Sequence, residues 1–247
     1  MTVNGDSILL YRHRGNETAL AIPNAEPQYK EVVSNGRLPH GIATRGLVLH
    51  SSTYKVQGSK VITEDAYKLV GTATGTYWTP AGYLLDGADD RIQYASNAVM
   101  NFIDYITIIA EVNPSTLDCT NGSAVFVGKI DNWYFGFQKT TGLLRGRVYP
   151  DGEVTASAGA ITASTWAHVA LTYDGANMIF YKNGVAVKTN AQTGAIGTGS
   201  NPLWIGSDGS GAGAFWFPGY IRRWSIRKVA LSAAELLEDY AATRWRT

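Results

Sequence analysis

The clearest pattern in the chain is the alternation of apolar and polar residues between residues 166 and 189. Apolar side chains occupy every second position from Val169 to Tyr173, which is typical of a strand with two different faces. Asp174-Gly175 ends this strand, and a second apolar strand runs over 178–182. Asn183-Gly184 then predicts a two-residue hairpin turn, because both central residues of a type I′ turn need positive φ. We therefore expect a three-stranded antiparallel meander in the middle of a sheet.

Strand patterns of the same kind recur along most of the chain. The longest begins at Ile106, with Ile108 and Val112 on the same face and Ile109 and Glu111 on the other. Turn residues, among them 27 glycines, separate the strands at intervals of roughly 8–12 residues, which is the spacing of a β-sandwich. The other strand predictions cover 46–50, 92–94, 124–127, 133–137, 143–149, 203–206 and 217–226.

One helix is predicted, close to the C-terminus. Ser232 and Glu235 have the spacing of a capping box, in which each side chain binds the backbone N–H of the other residue. Leu231 and Leu236 have the positions of the hydrophobic contact that accompanies such a cap. We expect the helix to continue to about Ala242.

Composition narrows the class of protein. Apolar residues make up 45% of the chain, which is enough for a sizeable core. The 21 basic and 20 acidic residues leave a net charge of +1, so we expect neither nucleic acid nor a membrane as a partner. Cys119 is the only cysteine, so the fold cannot depend on an intramolecular disulfide. No apolar run approaches the roughly 18–20 residues that a membrane-spanning helix requires.

The central meander also resembles a known family. The residues Trp166-x-His-Val-Ala-x-Thr-Tyr-Asp-Gly, followed by Tyr181-x-Asn-Gly, resemble the central signature of LamG-like jelly rolls in the concanavalin A-like lectin/glucanase superfamily. Tyr83–Tyr94 resembles the family's Phe-Asp-Gly-x-Asp-Asp-Tyr-Val segment, and Ala230–Leu236 resembles its closing Ala-Leu-Ser-x-x-Glu-Ile. The resemblance covers about residues 46–242. It implies an all-β, two-sheet antiparallel jelly-roll sandwich with one short C-terminal helix.

Two positions depart from the family pattern. Glu111 stands where a tryptophan is usual, and Arg222 stands where an aspartate is usual. The resemblance implies the fold more strongly than the function, because the superfamily holds lectins, glycosidases, adhesion modules and virion parts.

The domain organisation follows from the extent of the resemblance. Residues 46–247 are expected to form the LamG-like sandwich, and residues 1–45 form a separate N-terminal arm with a small hairpin at 8–22. The arm could not hold a core by itself. Two interpretations of it stay open: a tail that packs along its own domain, or an arm that adds a strand to a neighbouring subunit or anchors the domain to an assembly.

The residues do not favour catalysis. Glycosidases of the superfamily carry Glu-x-Asp-x-x-Glu on one strand, but here Asn113 follows Glu111 at the aspartate position. The four histidines show no metal-ligand spacing, and His168 is expected to pack and form a hydrogen bond. No Gly-x-Ser-x-Gly elbow is present, and Cys119 has no base beside it in sequence. We therefore assign no catalytic residue and no cofactor.

Calcium is the one metal that the sequence raises. Asp86, Asp89 and Asp90 cluster in one turn, and some relatives bind calcium near a rim of the sandwich. Arg222 places a cation where the family carries an aspartate that could serve as a ligand. Aspartates that only form the turn are therefore the favoured interpretation, and no metal ligand is assigned.

Aromatic side chains are the candidates for ligand contact, because exposed rings can stack on sugars. We expect most of them to be core, with Trp216, Tyr220 and Trp204 as the contacts with a ligand or partner. Trp216 is the first choice because it follows a glycine-rich loop, expected to be mobile, at 207–213. The full set of candidates is Trp133, Tyr134, Trp204, Trp216 and Tyr220.

Three functions follow. The first is a non-enzymatic structural module, such as a capsid decoration or fibre protein of a virus or phage, that forms homo-oligomers or contacts neighbouring subunits through the arm. The second is a lectin-like module that binds glycans, and the third is a glycoside hydrolase, which the missing carboxylate motif disfavours. Met1 is followed by Thr-Val-Asn-Gly-Asp, with no basic segment or apolar stretch. We therefore expect synthesis in the cytoplasm without a signal peptide, and a place on a virion or an extracellular surface.

Overall fold

The fold is a sandwich of two antiparallel sheets with one C-terminal helix. A computed structural model describes residues 45–52, 56–57, 59–149, 152–211 and 214–243. The N-terminal arm predicted at 1–45 therefore lies outside the described residues, apart from Arg45. The described strands, in chain order, are β1 (Leu47–Ser52), β2 (Val56–Gln57), β3 (Lys60–Ile62), β4 (Val70–Thr74), β5 (Tyr77–Thr79), β6 (Gly82–Asp86), β7 (Arg91–Tyr94), β8 (Ile106–Pro114), β9 (Ser123–Lys129), β10 (Trp133–Gln138), β11 (Leu144–Val148), β12 (Glu153–Thr155), β13 (Ala167–Tyr173), β14 (Asn177–Lys182), β15 (Val185–Ala191), β16 (Leu203–Ile205) and β17 (Pro218–Arg227).

The strands form one sheet of eight and one of nine. The eight-stranded sheet has the order β15-β14-β13-β8-β17-β6-β5, with β1 also paired to β17. The nine-stranded sheet has the order β12-β11-β10-β9-β16-β7-β4-β3-β2. Each sheet contains neighbours that are distant in sequence, such as β8 beside β17, and these crossovers are those of a jelly roll.

The core lies between the inner faces of the two sheets. Phe135 of the nine-stranded sheet packs against Phe180 of the eight-stranded sheet, with ring centroids 6.1 Å apart. Phe126 makes edge contacts with Phe135 at 5.3 Å and with Phe217 at 5.5 Å. At Gly146 on β11 the sheets approach so closely that a Cβ atom would lie 2.3 Å from Cδ1 of Leu171. A glycine is therefore required there by the packing of the two sheets.

The predicted three-stranded antiparallel meander is present at residues 167–191 as β13, β14 and β15. Asn183 and Gly184 have φ values of 52° and 78°, as the predicted type I′ turn requires. The expected place in the middle of a sheet is wrong for β15, which is the edge strand of the eight-stranded sheet among the residues that the structure describes. Alternation along one strand determines which faces it has, but it does not determine how many strands lie beyond it.

The helix α1 (Ala233–Thr243) lies on the outer face of the eight-stranded sheet. The predicted capping box is present, because Glu235 Oε2 accepts from Ser232 N at 2.8 Å and Ser232 Oγ accepts from Glu235 N at 3.3 Å. Leu231 and Leu236 join a small apolar cluster with Ile109 and Ala170 of the sheet. In the part of the chain that the structure describes, no helix has the length and apolar character needed to cross a bilayer.

Candidate functional site

A pair of tryptophans lies on the outer face of the nine-stranded sheet. Trp204 points outward from β16, because its neighbours Leu203 and Ile205 both lie in the core. The loop that follows β16 places Trp216 against it, with ring centroids 6.2 Å apart and the rings at 61°. The guanidinium carbon of Arg91 lies 5.1 Å from the Trp204 ring centroid. We call Trp204, Trp216 and Arg91 the tryptophan platform, and both of its rings are half-buried.

Hydrogen bonds of Asp208 join the two described ends of the loop that follows β16. Oδ1 of Asp208 accepts from Ser210 Oγ at 2.9 Å, from Ser210 N at 3.3 Å and from Phe215 N at 3.2 Å. Gly209 has φ +80° and packs on the Trp204 indole, where a Cβ atom would lie 2.8 Å from Nε1. The carboxylate of Asp208 and the absent side chain of Gly209 therefore define the shape of this face.

A cleft of about 210 Å³ lies beside the tryptophan platform on the same face. Phe215, the residue before Trp216, forms one wall and lies 6.1 Å from the Tyr134 ring. Tyr149 lines the cleft with the guanidinium carbon of Arg147 stacked 3.7 Å from its ring centroid. The cleft therefore combines aromatic walls with a cation, a combination that suits a polar ring such as a sugar.

The charged side chains at the cleft differ in the hydrogen bonds and ion pairs that they form. Glu153 forms a salt bridge with Arg145, and burial raises the pKa of Glu153. The completely buried Lys129 donates from Nζ to Asn132 Oδ1 and the Gly199 carbonyl, both at 2.7 Å. Burial lowers the pKa of this ammonium, which lacks a carboxylate partner among the described residues.

A larger groove of about 550 Å³ lies between the edge strands β12 and β15. Its lining includes Glu153, Lys188, Asn190 and Gln192 and no aromatic side chain. A sugar ring would find hydrogen-bonding groups there but no ring to stack on, so the tryptophan platform and its cleft are the stronger candidate site.

The other aromatic candidates lie elsewhere. Tyr220 is on β17 of the opposite sheet, where its ring lies 6.5 Å from that of Trp166. Trp133 is only 1% exposed and belongs to the core, and Tyr134 is 7% exposed at the cleft. The structure thus brings Trp204 and Trp216 together and places Tyr220 on a different face.

Sequence reasoning missed Arg91, Arg147, Tyr149 and Phe215 as members of this face. A signal was available for Arg147, because β11 places it and Arg145 outward in alternation with buried residues. No such signal existed for Phe215, because its position depends on the path of the loop.

The two residues that depart from the family pattern form an ion pair. Arg222 Nε donates to Glu111 Oε2 at 2.6 Å, and Arg223 Nε lies 2.9 Å from Glu111 Oε1. Asp239 of α1 binds the other side of Arg223, and its Oδ2 accepts a hydrogen bond from His168 Nε2 at 2.9 Å. We call Glu111, Arg222, Arg223, His168 and Asp239 the buried charge network.

The pKa values in the network follow from these contacts. Burial acts to raise the pKa of Asp239, but the charge of Arg223 and the hydrogen bond with His168 hold that pKa well below its usual range. Burial likewise opposes ionisation of Glu111, but Arg223 and Arg222 together lower its pKa. Arginine nitrogens thus lie 2.6 and 2.9 Å from the two oxygens of Glu111, so this strand carboxylate is engaged in ion pairs.

The three aspartates raised as a calcium site do lie together. Carboxylate oxygens of Asp86, Asp89 and Asp90 all lie within 4.8 Å of one another. Asp86 Oδ1 already accepts from Ala88 N at 2.8 Å, and Asp90 Oδ2 accepts from Asp86 N at 2.9 Å. Burial raises the pKa of Asp90, which disfavours its charged form. Calcium takes six to eight oxygen ligands. The carboxylates of Asp86 and Asp90 accept hydrogen bonds from backbone N–H groups of this turn.

Solved structures share this fold at low sequence identity. The binding domain of Paraclostridial Mosquitocidal Protein 1 aligns with a TM-score of 0.62 and 15% identity, over 79% of this chain and 52% of that one. A mutant of Trypanosoma rangeli sialidase displaying trans-sialidase activity aligns with a TM-score of 0.65 and 15% identity, over 83% of this chain and 34% of that one. The chain thus spans about half or less of the length of these proteins.

Comparison of sequences gives the family. No curated protein sequence matches the chain. A laminin G family model, described as concanavalin A-like lectin/glucanases superfamily, matches residues 86–237, which is more than half of the chain. The match includes the strands of the meander, β16 with Trp204, the whole of the closing strand β17 and the start of α1. This chain therefore belongs to the concanavalin A-like lectin/glucanase superfamily.

Proposed function

We propose that the chain is a non-enzymatic carbohydrate-binding module whose sugar site is the tryptophan platform and the adjoining cleft. The observation that carries the proposal is the contact of Trp204 with Trp216 on an outer sheet face, beside an aromatic-walled cleft. Half-buried indoles expose an apolar face that a sugar ring can cover, and nearby polar groups then orient its hydroxyls.

Two further points support binding rather than hydrolysis. Glu111, the carboxylate on the long strand β8, is occupied on both oxygens by arginines. The structural neighbours include a protein named as a binding domain, although they also include sialidases. Incubation with β-glucans, galactans and sialylated glycans should therefore release no reducing sugar, and measurable turnover would contradict the non-enzymatic part of the proposal.

A glycan array followed by titration calorimetry tests the binding. We expect Trp216→Ala to weaken the affinity for the best-binding glycan about tenfold or more. This loss corresponds to about 1.4 kcal/mol of stacking free energy. Trp166→Ala is the matched control, because Trp166 is also a half-buried indole with an arginine at 4.2 Å but packs against Tyr220 of the opposite sheet. Equal affinities of wild type and Trp216→Ala, with both folded, would refute the site, and an array without any signal would refute the function.

We also propose a second role, in which the chain is a structural component of a virion or another surface assembly. It is supported by the 45 residues that precede the sandwich and by the edge of β15, which pairs with no further strand among the described residues. Light scattering of the full chain beside a version beginning at Arg45, which retains the Arg45–Glu235 salt bridge, tests it. If light scattering gives the mass of a monomer for both proteins, this would count against a role of the arm in assembly.

A further inference from the structure

The cleft beside the tryptophan platform contains a cation, Arg147, that pairs with no carboxylate among the described residues. Arg147 points outward from β11 and lies with its guanidinium carbon 3.7 Å from the Tyr149 ring centroid. Its Nε is buried without a hydrogen-bond partner, and it forms no ion pair with the described residues. The terminal nitrogens of the guanidinium are therefore the donors that an acceptor supplied from outside could reach.

Most of the other charges around the cleft have partners within the protein, and Asp131 adds an exposed carboxylate to its lining. Arg145 is neutralised by Glu153, and the Lys129 ammonium donates to three neutral oxygens. One carboxylate oxygen of Asp208 accepts the hydrogen bonds from Ser210 and Phe215 within its own loop. Directly across the sheet, Glu153 is the register partner of Arg147, but its carboxylate turns to Arg145 instead.

From this difference, and given the proposed carbohydrate-binding function, we infer that the cleft selects a sugar that carries an acidic group, with Arg147 as the residue that binds the anion. The planar guanidinium presents parallel N–H donors that match a carboxylate or a sulfate. Stacking on Tyr149 fixes the plane of the guanidinium, so less side-chain freedom is lost when the anion binds.

The walls of the cleft place the rest of the sugar. Tyr134 and Phe215 lie with their rings 6.1 Å apart, and Ser210 offers a hydroxyl on the loop side. The volume of about 210 Å³ corresponds to one sugar residue and not to an oligosaccharide. The acidic group is therefore expected on a single residue at the end of a glycan, with the next residue directed toward the tryptophan platform.

Titration by NMR with three small probes tests this inference on the full chain. The probes are methyl β-D-glucuronide, the uncharged methyl β-D-glucoside, and inorganic sulfate. We expect the glucuronide to shift the Nε–Hε signal of Arg147 and to bind at least about tenfold more tightly than the glucoside, as a charge-assisted hydrogen bond implies. A response to sulfate without one to glucuronide would assign the site to sulfated glycans, which is the other source of the same chemistry.

Variants separate the anion site from general charge. Arg147→Gln should reduce affinity for the acidic probe to that for the glucoside, whereas Arg147→Lys should retain part of it. Lys228→Gln, which removes the same charge from an exposed position just beyond the end of β17, should change neither. Increasing the salt concentration should weaken the binding of the acidic probe and leave the binding of the glucoside unchanged.

The outcomes distinguish this inference from the proposed function. If glucoside and glucuronide bind equally and Arg147→Gln binds both like wild type, the acidic specificity is overturned while carbohydrate binding stands. If neither probe nor any arrayed glycan binds wild type, both are overturned. If Arg147→Gln does not fold, the inference is decided by the affinities of the wild-type protein for glucuronide and glucoside.

Discussion

The substitution Asp239→Asn tests whether the buried charge network holds the C-terminal helix on the sheet. Asp239 is 4% exposed and binds Arg223 through both of its oxygens. Arg223 is 2% exposed and also lies between Asp239 and Glu111. An asparagine would keep the shape of the side chain but leave the guanidinium with one compensating carboxylate instead of two.

The expected loss follows from this burial. Removing one partner from a buried ion pair costs about 3–5 kcal/mol, because the remaining charge stays away from water. For a domain of this size the corresponding fall in melting temperature is roughly 6–20 °C. Asp104→Asn is the matched control, since Asp104 is exposed and its removal should change the stability by no more than about 0.5 kcal/mol.

The same reasoning gives a pH dependence. The folded-state pKa of Asp239 is lowered, since the attraction of Arg223 and the hydrogen bond with His168 outweigh the effect of burial. Its contribution is therefore present above its unfolded pKa of about 3.9 and is lost as the pH falls through the lower folded value. The difference between wild type and Asp239→Asn should be constant from pH 7 to about pH 5 and shrink only below about pH 4.

Urea unfolding followed by tryptophan fluorescence measures both quantities. Free energies of unfolding for wild type, Asp239→Asn and Asp104→Asn are compared at pH 7, 5 and 3. An Asp239→Asn protein as stable as Asp104→Asn at pH 7 would refute the reasoning. So would a large difference that does not decrease at pH 3, because it would come from packing and not from charge.

Three further predictions concern the turns and the single thiol. Chelation of calcium with EDTA should leave the melting temperature unchanged, because the aspartates at 86–90 form hydrogen bonds within their turn; a fall of several degrees would instead indicate a bound ion. Gly184→Ala should destabilise the protein by about 1–3 kcal/mol in urea unfolding, because φ is +78° and the new Cβ would lie 2.9 Å from Cδ1 of Leu237. Gly152→Ala, which would meet no atom within 4 Å, is its control. Cys119 is 5% exposed and burial raises its pKa, so it should react with a thiol reagent slowly in the native protein and fully in denaturant; rapid native labelling would contradict this placement.

The candidate site shows where prediction from sequence reached its limit. Trp204 and Trp216 were both candidates, and alternation along 203–205 places Trp204 outward. Tyr220 was a candidate for the same contacts, yet it pairs with Trp166 on the other sheet. Nothing local to Tyr220 distinguishes these cases, because the sheet to which a strand belongs is decided by partners far away in sequence.

The buried charge network makes the same point for Glu111 and Arg222. Each was visible in the sequence as an isolated departure from the family pattern. Their contact at 2.6 Å depends on the pairing of β8 with β17, whose residues are separated by more than a hundred positions. That register also places Arg223 opposite Glu111, and only the docking of α1 adds Asp239.

Features that arise from neighbouring residues could be predicted from the local sequence. The two faces of β8 and β13, the positive φ of Asn183-Gly184 and the Ser232–Glu235 cap each depend on a few adjacent side chains and backbone dihedrals. Long-range packing sets which faces meet, and it brings the tryptophan platform beside a cleft that Arg147 lines. These depend on strand register and loop path, which are set by packing between segments distant in the chain.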